Sequence, residues 1–322
     1  MLIFAALLPF CGCLAQDVKA LQVTNDSAKT ETLLTPEIGG IKQFVKIITD
    51  DASKPVLLFL SGGPGSSMLN KEDAFTNILK NRFTIVHWDQ RNAGKTWKLN
   101  PSPTQPSVAQ MTEDTRQVVE FLIKELKQEK IYLLGSSWGN VLGFYMVKNH
   151  PQKLHAYFAV NPVVSQLDSE KELLEVLKVH FKENAIADKE LASVKIPFKT
   201  DEDLFYLRKW LFYKDGKEFA ISAEFKTGFL EWSKAWSPVW SEVMNIDLPK
   251  TLKKVDCPIY FFVGKNDIQT SARITKEYFD ALQAPRKQLF FFEKSGHQIH
   301  HDEPEKFQNA IIQTLDTPPA RS

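Results

Sequence analysis

The stretch Lys130-Ile-Tyr-Leu-Leu-Gly135-Ser136-Ser137-Trp138-Gly139 is an apolar run that ends on two serines and a tryptophan bracketed by glycines. It reads as a buried strand over 130–134, entering a tight turn from which a helix leaves toward Asn149. The glycines are expected to let the chain turn so sharply that the Ser137 hydroxyl stands clear of the sheet. The helix amino terminus beneath it favours developing negative charge. In this context the motif is a nucleophile elbow, whereas the same residues without partners make an ordinary strand-to-helix turn. A serine hydroxyl is too weak a nucleophile to act without a base.

Outward from that turn the pattern repeats. Ile41 to Ile48 reads as a strand, and Pro55 to Leu60 is a continuous apolar run of the kind covered on both faces. Phe83–Trp88, Tyr157–Val160, Pro258–Val263 and Gln288–Phe292 have the same character. Between them, Met111 to Lys127 carries Val118, Phe121, Leu122 and Leu126 at helical spacing, and a further helix is expected from Ala272 to Leu282. Strands alternating with helices predict an α/β class built on a mostly parallel, doubly wound sheet. From 164 to 252 the pattern changes to charged helical segments rich in aromatics, including Trp210, Trp232, Trp236 and Trp240. This segment reads as a helical cap inserted between two core parts, 16–163 and 253–322. Lys98 to Gln110, with three prolines, is expected to be a surface loop. A frayed tail is expected at Pro318-Pro319.

Two further strand ends supply partners for the serine. Asp267 follows the Ile259–Val263 run, and His297 follows the Leu289–Phe292 run. In a parallel sheet these carboxyl ends share one edge, so the three loops converge. The order serine, acid, histidine is the one expected of this architecture. His297 would take the serine proton, and Asp267 would hold its tautomer and stabilise the imidazolium. Ser61-Gly62-Gly63-Pro64-Gly65 follows another strand, and its glycines let a main-chain N–H approach a substrate carbonyl. Gly63 and Trp138 are the expected oxyanion donors.

Taken together, Gly62-Gly63-Pro64-Gly65, Trp88-Asp89-Gln90-Arg91, Gly135 to Gly139, Asp267 and Gly296-His297 resemble the proline iminopeptidase branch of the α/β-hydrolases, over roughly Ile41 to Gln313. The resemblance implies a serine peptidase acting on a small or proline-like amino-terminal residue through an acyl-enzyme. Ser61 stands where that family has His, and Asn92 where it has Gly. The cap lacks the Trp-Glu-Gly stretch that carries the family's amine-gripping glutamate. Within the cap, Phe225, Phe229, Trp232 and Trp236 mark one helical face, with Glu224 and Glu231 on the adjoining stripe. Those two carboxylates and Trp232 are the candidate substrate contacts, against the alternative of a solvated helix shoulder. An esterase or other acyl hydrolase on the same triad is the second functional reading, and a non-catalytic ligand-binding relative the third.

Composition narrows the classes. Of 322 residues 43% are hydrophobic and 25% charged, enough apolar material for a large core. Forty Lys and Arg against 39 Asp and Glu leave +1, no field for gathering nucleic acid or anionic membrane. The expected partner is a small molecule or short peptide. Cys11, Cys13 and Cys257 have no zinc-ligand spacing, and the proposed chemistry requires neither metal nor cofactor. Leu2 to Phe10 with Cys13-Leu14-Ala15 reads as an export signal over 1–15, without the usual preceding Lys or Arg; Gly12-Cys13 leaves a lipoprotein junction open. The apolar run is too short to span a bilayer. Asn92-Ala-Gly-Lys-Thr96 ends like a phosphate loop, but Asp89 occupies the position of the required first glycine. His300 and His301 near Asp302 have the wrong spacing for a metal site and are expected to face solvent.

Overall fold

A computed structural model describes residues 21–22, 30–69, 73–100 and 105–316. The segment read as an export signal, and Cys11 and Cys13 with it, lies outside them, as does Pro318-Pro319. Nine strands form one sheet: β1 (Leu21–Gln22), β2 (Thr30–Leu34), β3 (Phe44–Thr49), β4 (Val56–Leu60), β5 (Thr84–Asp89), β6 (Ile131–Ser136), β7 (Leu154–Val160), β8 (Ile259–Gly264) and β9 (Lys287–Phe292). Their order is β1-β2-β3-β5-β4-β6-β7-β8-β9. From β5 to β9 every pairing is parallel, and the three amino-terminal strands add antiparallel at one edge. The chain therefore has the α/β-hydrolase fold.

The continuous apolar runs are explained by covering on both faces. All five residues of β4 are buried, and successive ones enter different cores because side chains alternate across a strand. Leu58 and Leu60 pack with Val118 and Leu142 from helices α1 (Val108–Glu125) and α2 (Gly139–Asn149). Leu57 and Phe59 face the other side. There they join Phe307 and Ile311 of the carboxyl-terminal helix Pro304–Asp316.

Some boundaries differ from the sequence reading. The expected strand from Ile41 to Ile48 divides: Ile41–Lys42 pairs back on Glu37–Ile38 in a hairpin, and β3 starts at Phe44. Helix α1 starts at Val108, inside the expected loop, because the Ser107 hydroxyl accepts the Gln110 N–H and caps it. A short helix, Gly94–Leu99, occupies the other end of that segment. The half-exposed strand β2, between the two-residue β1 and β3, has no strong alternation and was not legible in advance.

Between β7 and β8 lie four longer helices, α3 (Gln166–His180), α4 (Ala185–Ser193), α5 (Asp201–Lys214) and α6 (Ala223–Val243). The two ends of this insertion meet, with Leu248 N–H donating to the Val164 carbonyl at 2.9 Å. Leu173, Leu177, Leu191, Leu207 and Trp210 give it a core of its own. A buried two-armed pair, Glu170 with Arg208, joins α3 to α5. Removing one partner of such a pair costs about 3–5 kcal/mol, because the other charge stays buried.

Candidate active site

Ser137 follows β6 directly and has φ +52°, a left-handed conformation unusual for a residue with a side chain. Its N–H donates to the Val160 carbonyl at 3.0 Å. Asn140 Nδ2 donates to the carbonyls of Ser137 (3.1 Å) and Val160 (2.9 Å), while Asn140 Oδ1 accepts from the Tyr157 hydroxyl at 2.6 Å. The flanking glycines serve a different purpose from the one expected. The positive φ falls on Ser137 itself, and the glycines permit close approach. A Cβ on Gly139 would lie 2.1 Å from the Leu60 carbonyl oxygen, and one on Gly135 would lie 2.4 Å from the Tyr157 hydroxyl. The helix can begin against β4 only because that space is free.

Asp267 and His297 meet at the same sheet edge, with His297 Nδ1 2.8 Å from Asp267 Oδ2. Thr270 Oγ1 donates to the same oxygen at 2.8 Å, and the Gln269 and Thr270 N–H groups donate to Oδ1. Burial alone would push the Asp267 carboxyl up. The charge and hydrogen bond of His297, with the Thr270 bonds, outweigh burial and hold it below the usual carboxylate range. Asn161, at φ +41° just beyond β7, clamps both loops. Its Oδ1 accepts the Gly264 N–H at 2.8 Å, and its Nδ2 donates to the Gly296 and His297 carbonyls at 3.2 and 2.9 Å. Ser137 and His297 line one cavity, and no hydrogen bond joins their side chains.

Gly62 packs against the elbow, where a Cβ would lie 3.3 Å from Ser137 Cβ. Gly63 has φ +114°. Neither the Gly63 nor the Trp138 N–H donates to a carbonyl in the turns and loops of the described residues. From above, Trp232 Nε1 donates to the Pro64 carbonyl at 2.9 Å, and Gly65 leaves room for the Trp236 ring, which a Cβ would approach to 2.8 Å. From below, Gln90 Nε2 donates to the Ser61 carbonyl at 3.0 Å while Gln90 Oε1 accepts from Trp138 Nε1 at 3.0 Å. Asn92, where the family has Gly, takes φ +59°, a conformation Asn tolerates better than other side chains.

The cavity has a volume of about 900 Å³, bounded by the glycine loop at Gly62 and Gly63, the Ser137 and His297 turns, and the cap residues Arg208, Phe229, Trp232 and Trp240. Glu224 and Glu231 do not line it. Both are exposed; at 100° per residue they sit roughly 110° and 130° around α6 from the centre of the aromatic stripe. The sequence pattern placed them beside the stripe, but the helix turns them outward. The carboxylate that the cap does bring to the cavity is Asp215, just past the end of α5. Partial burial pushes its carboxyl up, opposed by Lys214 and Lys217, and the charges of Asp267 and His297 also act on it. No spacing rule singled it out, because it belongs to a helix end and not to a periodic face.

His300 corrects the sequence reading. It is buried, 5.0 Å from the Phe75 ring, whereas His301 is exposed and both line the cavity. Among the described residues no group of three His, Cys, Asp or Glu is arranged to hold a metal, and no helix is long and apolar enough to cross a membrane. At Asn92 to Thr96 the groups a phosphate would need are engaged internally: Lys95 N–H donates to Asp89 Oδ2 and Thr96 Oγ1 to the Asp89 carbonyl.

The family model described as α/β hydrolase fold matches residues 55–196. The chain is 28% identical to "Probable aminopeptidase YbaC" of Bacillus subtilis, covering 85% of this chain and 93% of that one. It is 25% identical to a proline iminopeptidase of Heyndrickxia coagulans, over 87% and 96% of the two chains. The crystal structure of proline iminopeptidase from Mycobacterium smegmatis superposes with a TM-score of 0.63 at 17% identity, over 89% of this chain and 97% of that one.

Proposed function

We propose that this chain, an α/β hydrolase that is proline iminopeptidase-like, is a serine hydrolase releasing the amino-terminal residue of short peptides. The observation that carries the reading is the 2.8 Å pair of His297 with Asp267, which is buried behind it, His297 lining the cavity that also holds the left-handed Ser137. Ser137 Oγ attacks the scissile carbonyl carbon while its proton passes to His297 Nε2. Asp267, accepting from Nδ1–H, stabilises the imidazolium that forms. The Gly63 and Trp138 N–H groups donate hydrogen bonds to the carbonyl oxygen as negative charge builds on it. As the C–N bond breaks, His297 returns the proton to the leaving amine; water then attacks the acyl carbon, passing a proton to His297, and as the acyl C–O bond to Ser137 breaks that proton goes to Ser137 Oγ and the freed acid leaves.

The amine of such a substrate requires a carboxylate, and Asp215 is the cap's candidate for it in place of Glu224 and Glu231. A second reading, an esterase, is favoured by one observation. With Arg208 paired to Glu170, Lys214, Lys217 and Lys294 still outnumber Asp215 and Asp302 around the cavity, a surplus that does not select for an ammonium group. A panel of aminoacyl anilides, amino-blocked peptides and short acyl esters, with Ser137→Ala as the blank, separates the two. Turnover of free-amine anilides above blocked ones supports the peptidase. Turnover of esters alone supports the second reading, and turnover surviving in Ser137→Ala rejects both.

A further inference from the structure

The Trp88-Asp89-Gln90-Arg91 segment divides by what its side chains touch. Trp88 Nε1 donates to Gln43 and Arg91 pairs with Asp114, none of which lines the cavity. Gln90 is different. One buried amide reaches both halves of the oxyanion site, donating to Ser61 at the base of the glycine loop and accepting from the indole of Trp138.

We propose that Gln90 is a positioning residue that sets the two oxyanion donors, Gly63 N–H and Trp138 N–H, in register with each other. The proposal rests on the serine-hydrolase reading above. Oxyanion stabilisation depends on donors held in place before charge develops. A loop carrying Gly62, Gly63 and Gly65 has little side chain with which to hold itself, so its position must come from outside. The cap holds its outer end through Trp232 and Trp236. Its inner end is held at Ser61 by Gln90, whose other arm grips the side chain of the residue supplying the second donor. An amide meets both demands at once, because the Ser61 carbonyl needs a donor and the Trp138 N–H needs an acceptor. A glutamate would set an oxygen against the Ser61 carbonyl.

The test uses Gln90→Met, Gln90→Glu and Trp138→Phe in the full chain, each checked for folding by its melting temperature. The readouts are kcat, KM and the affinity of a boronic acid mimic of the tetrahedral state. A lost oxyanion donor costs about 100–1,000-fold, so a displaced pair is expected to lower kcat and boronate affinity together by about 10–100-fold, with KM within about twofold. Trp138→Phe, which breaks one arm and keeps the main-chain donor, should show a smaller loss of the same kind. The Gln90→Met/Trp138→Phe double variant should lose no more than Gln90→Met alone, since both break one link. Unchanged kcat and boronate affinity in folded Gln90→Met, or multiplied losses in the double variant, overturn the proposal. If Gln90→Met does not fold, Trp138→Phe decides by the same split. Turnover surviving in Ser137→Ala would instead reject the underlying serine reading, a separate outcome.

Discussion

Gly264 and Gly296 pass so close that a Cβ on Gly264 would lie 1.9 Å from the Gly296 carbonyl oxygen. Gly264 ends β8, three residues before Asp267, and Gly296 immediately precedes His297. The 2.8 Å distance between acid and histidine is thus set by main chains that touch where a side chain would stand.

Gly264→Ala forces that contact apart. It should destabilise the fold by about 3 kcal/mol, the upper part of the usual range for overpacking, since the obstacle is backbone and cannot rotate away. Activity per folded molecule should fall as well, because the His297 loop moves. Denaturant titration alongside active-site counting checks both. A variant as stable and active as the parent would show that the contact is not needed.

Ser137 should react with a fluorophosphonate, because a base-activated hydroxyl beside two N–H donors attacks phosphorus and becomes trapped. Peptide mapping should find the adduct at Ser137. Equal labelling of Ser137→Ala would remove the assignment.

Asp267→Asn should lower kcat by about 10⁴-fold with little change in KM, since an amide donor leaves His297 in the wrong tautomer. The same carboxyl affects stability. Its folded pKa lies below the usual value, so the unfolded chain binds its proton more readily. That stabilisation is therefore present above the unfolded pKa and is lost as pH falls through the folded one. Below about pH 4, the ordinary aspartate range, the stability of Asp267→Asn should decline less with acid than that of the parent.

His87 adds a second acid-side dependence. It is buried between Phe59 and Phe75, neither ring nitrogen has a hydrogen-bond partner among the described residues, and burial pushes its pKa down to about 3. The native ring stays neutral while the unfolded chain takes up a proton below about 6.5, the ordinary histidine value, so stability falls between about pH 6.5 and 3 and is unaffected above. At pH 5 this term is about 2 kcal/mol. His87→Leu should flatten the stability profile by that amount between pH 7 and 5. An unchanged slope would mean that His87 does not carry it.

For the cap, Asp215→Asn should lower kcat/KM for free-amine anilides by about tenfold and leave short neutral esters nearly unchanged, as expected for a partly exposed charge meeting an ammonium. Glu224→Gln and Glu231→Gln should change neither. Equal losses on both substrate classes in Asp215→Asn would point to disturbed cap packing.

The α/β class, the elbow at Ser137, and the loops of Asp267 and His297 were legible in the sequence because each is a local pattern: an apolar run, then small or polar residues at its carboxyl end. Parallel strands place such ends on one edge, so order along the chain carried information about space. What lay outside local pattern came only from the fold. The helical stripe of α6 identified an apolar face but not its absolute rotation, which contacts with the glycine loop after β4 decide, with Trp232 bonded to Pro64 and Glu224 left outside. Asp215 reaches the cavity through the way α5 ends, and Asn161 and Gln90 act by bonds to residues 103 and 48 positions away. The glycines of the elbow were visible as residues, but their reason was not. Close approach depends on which strand passes behind, and Leu60 and Tyr157 occupy those places only once the sheet is assembled.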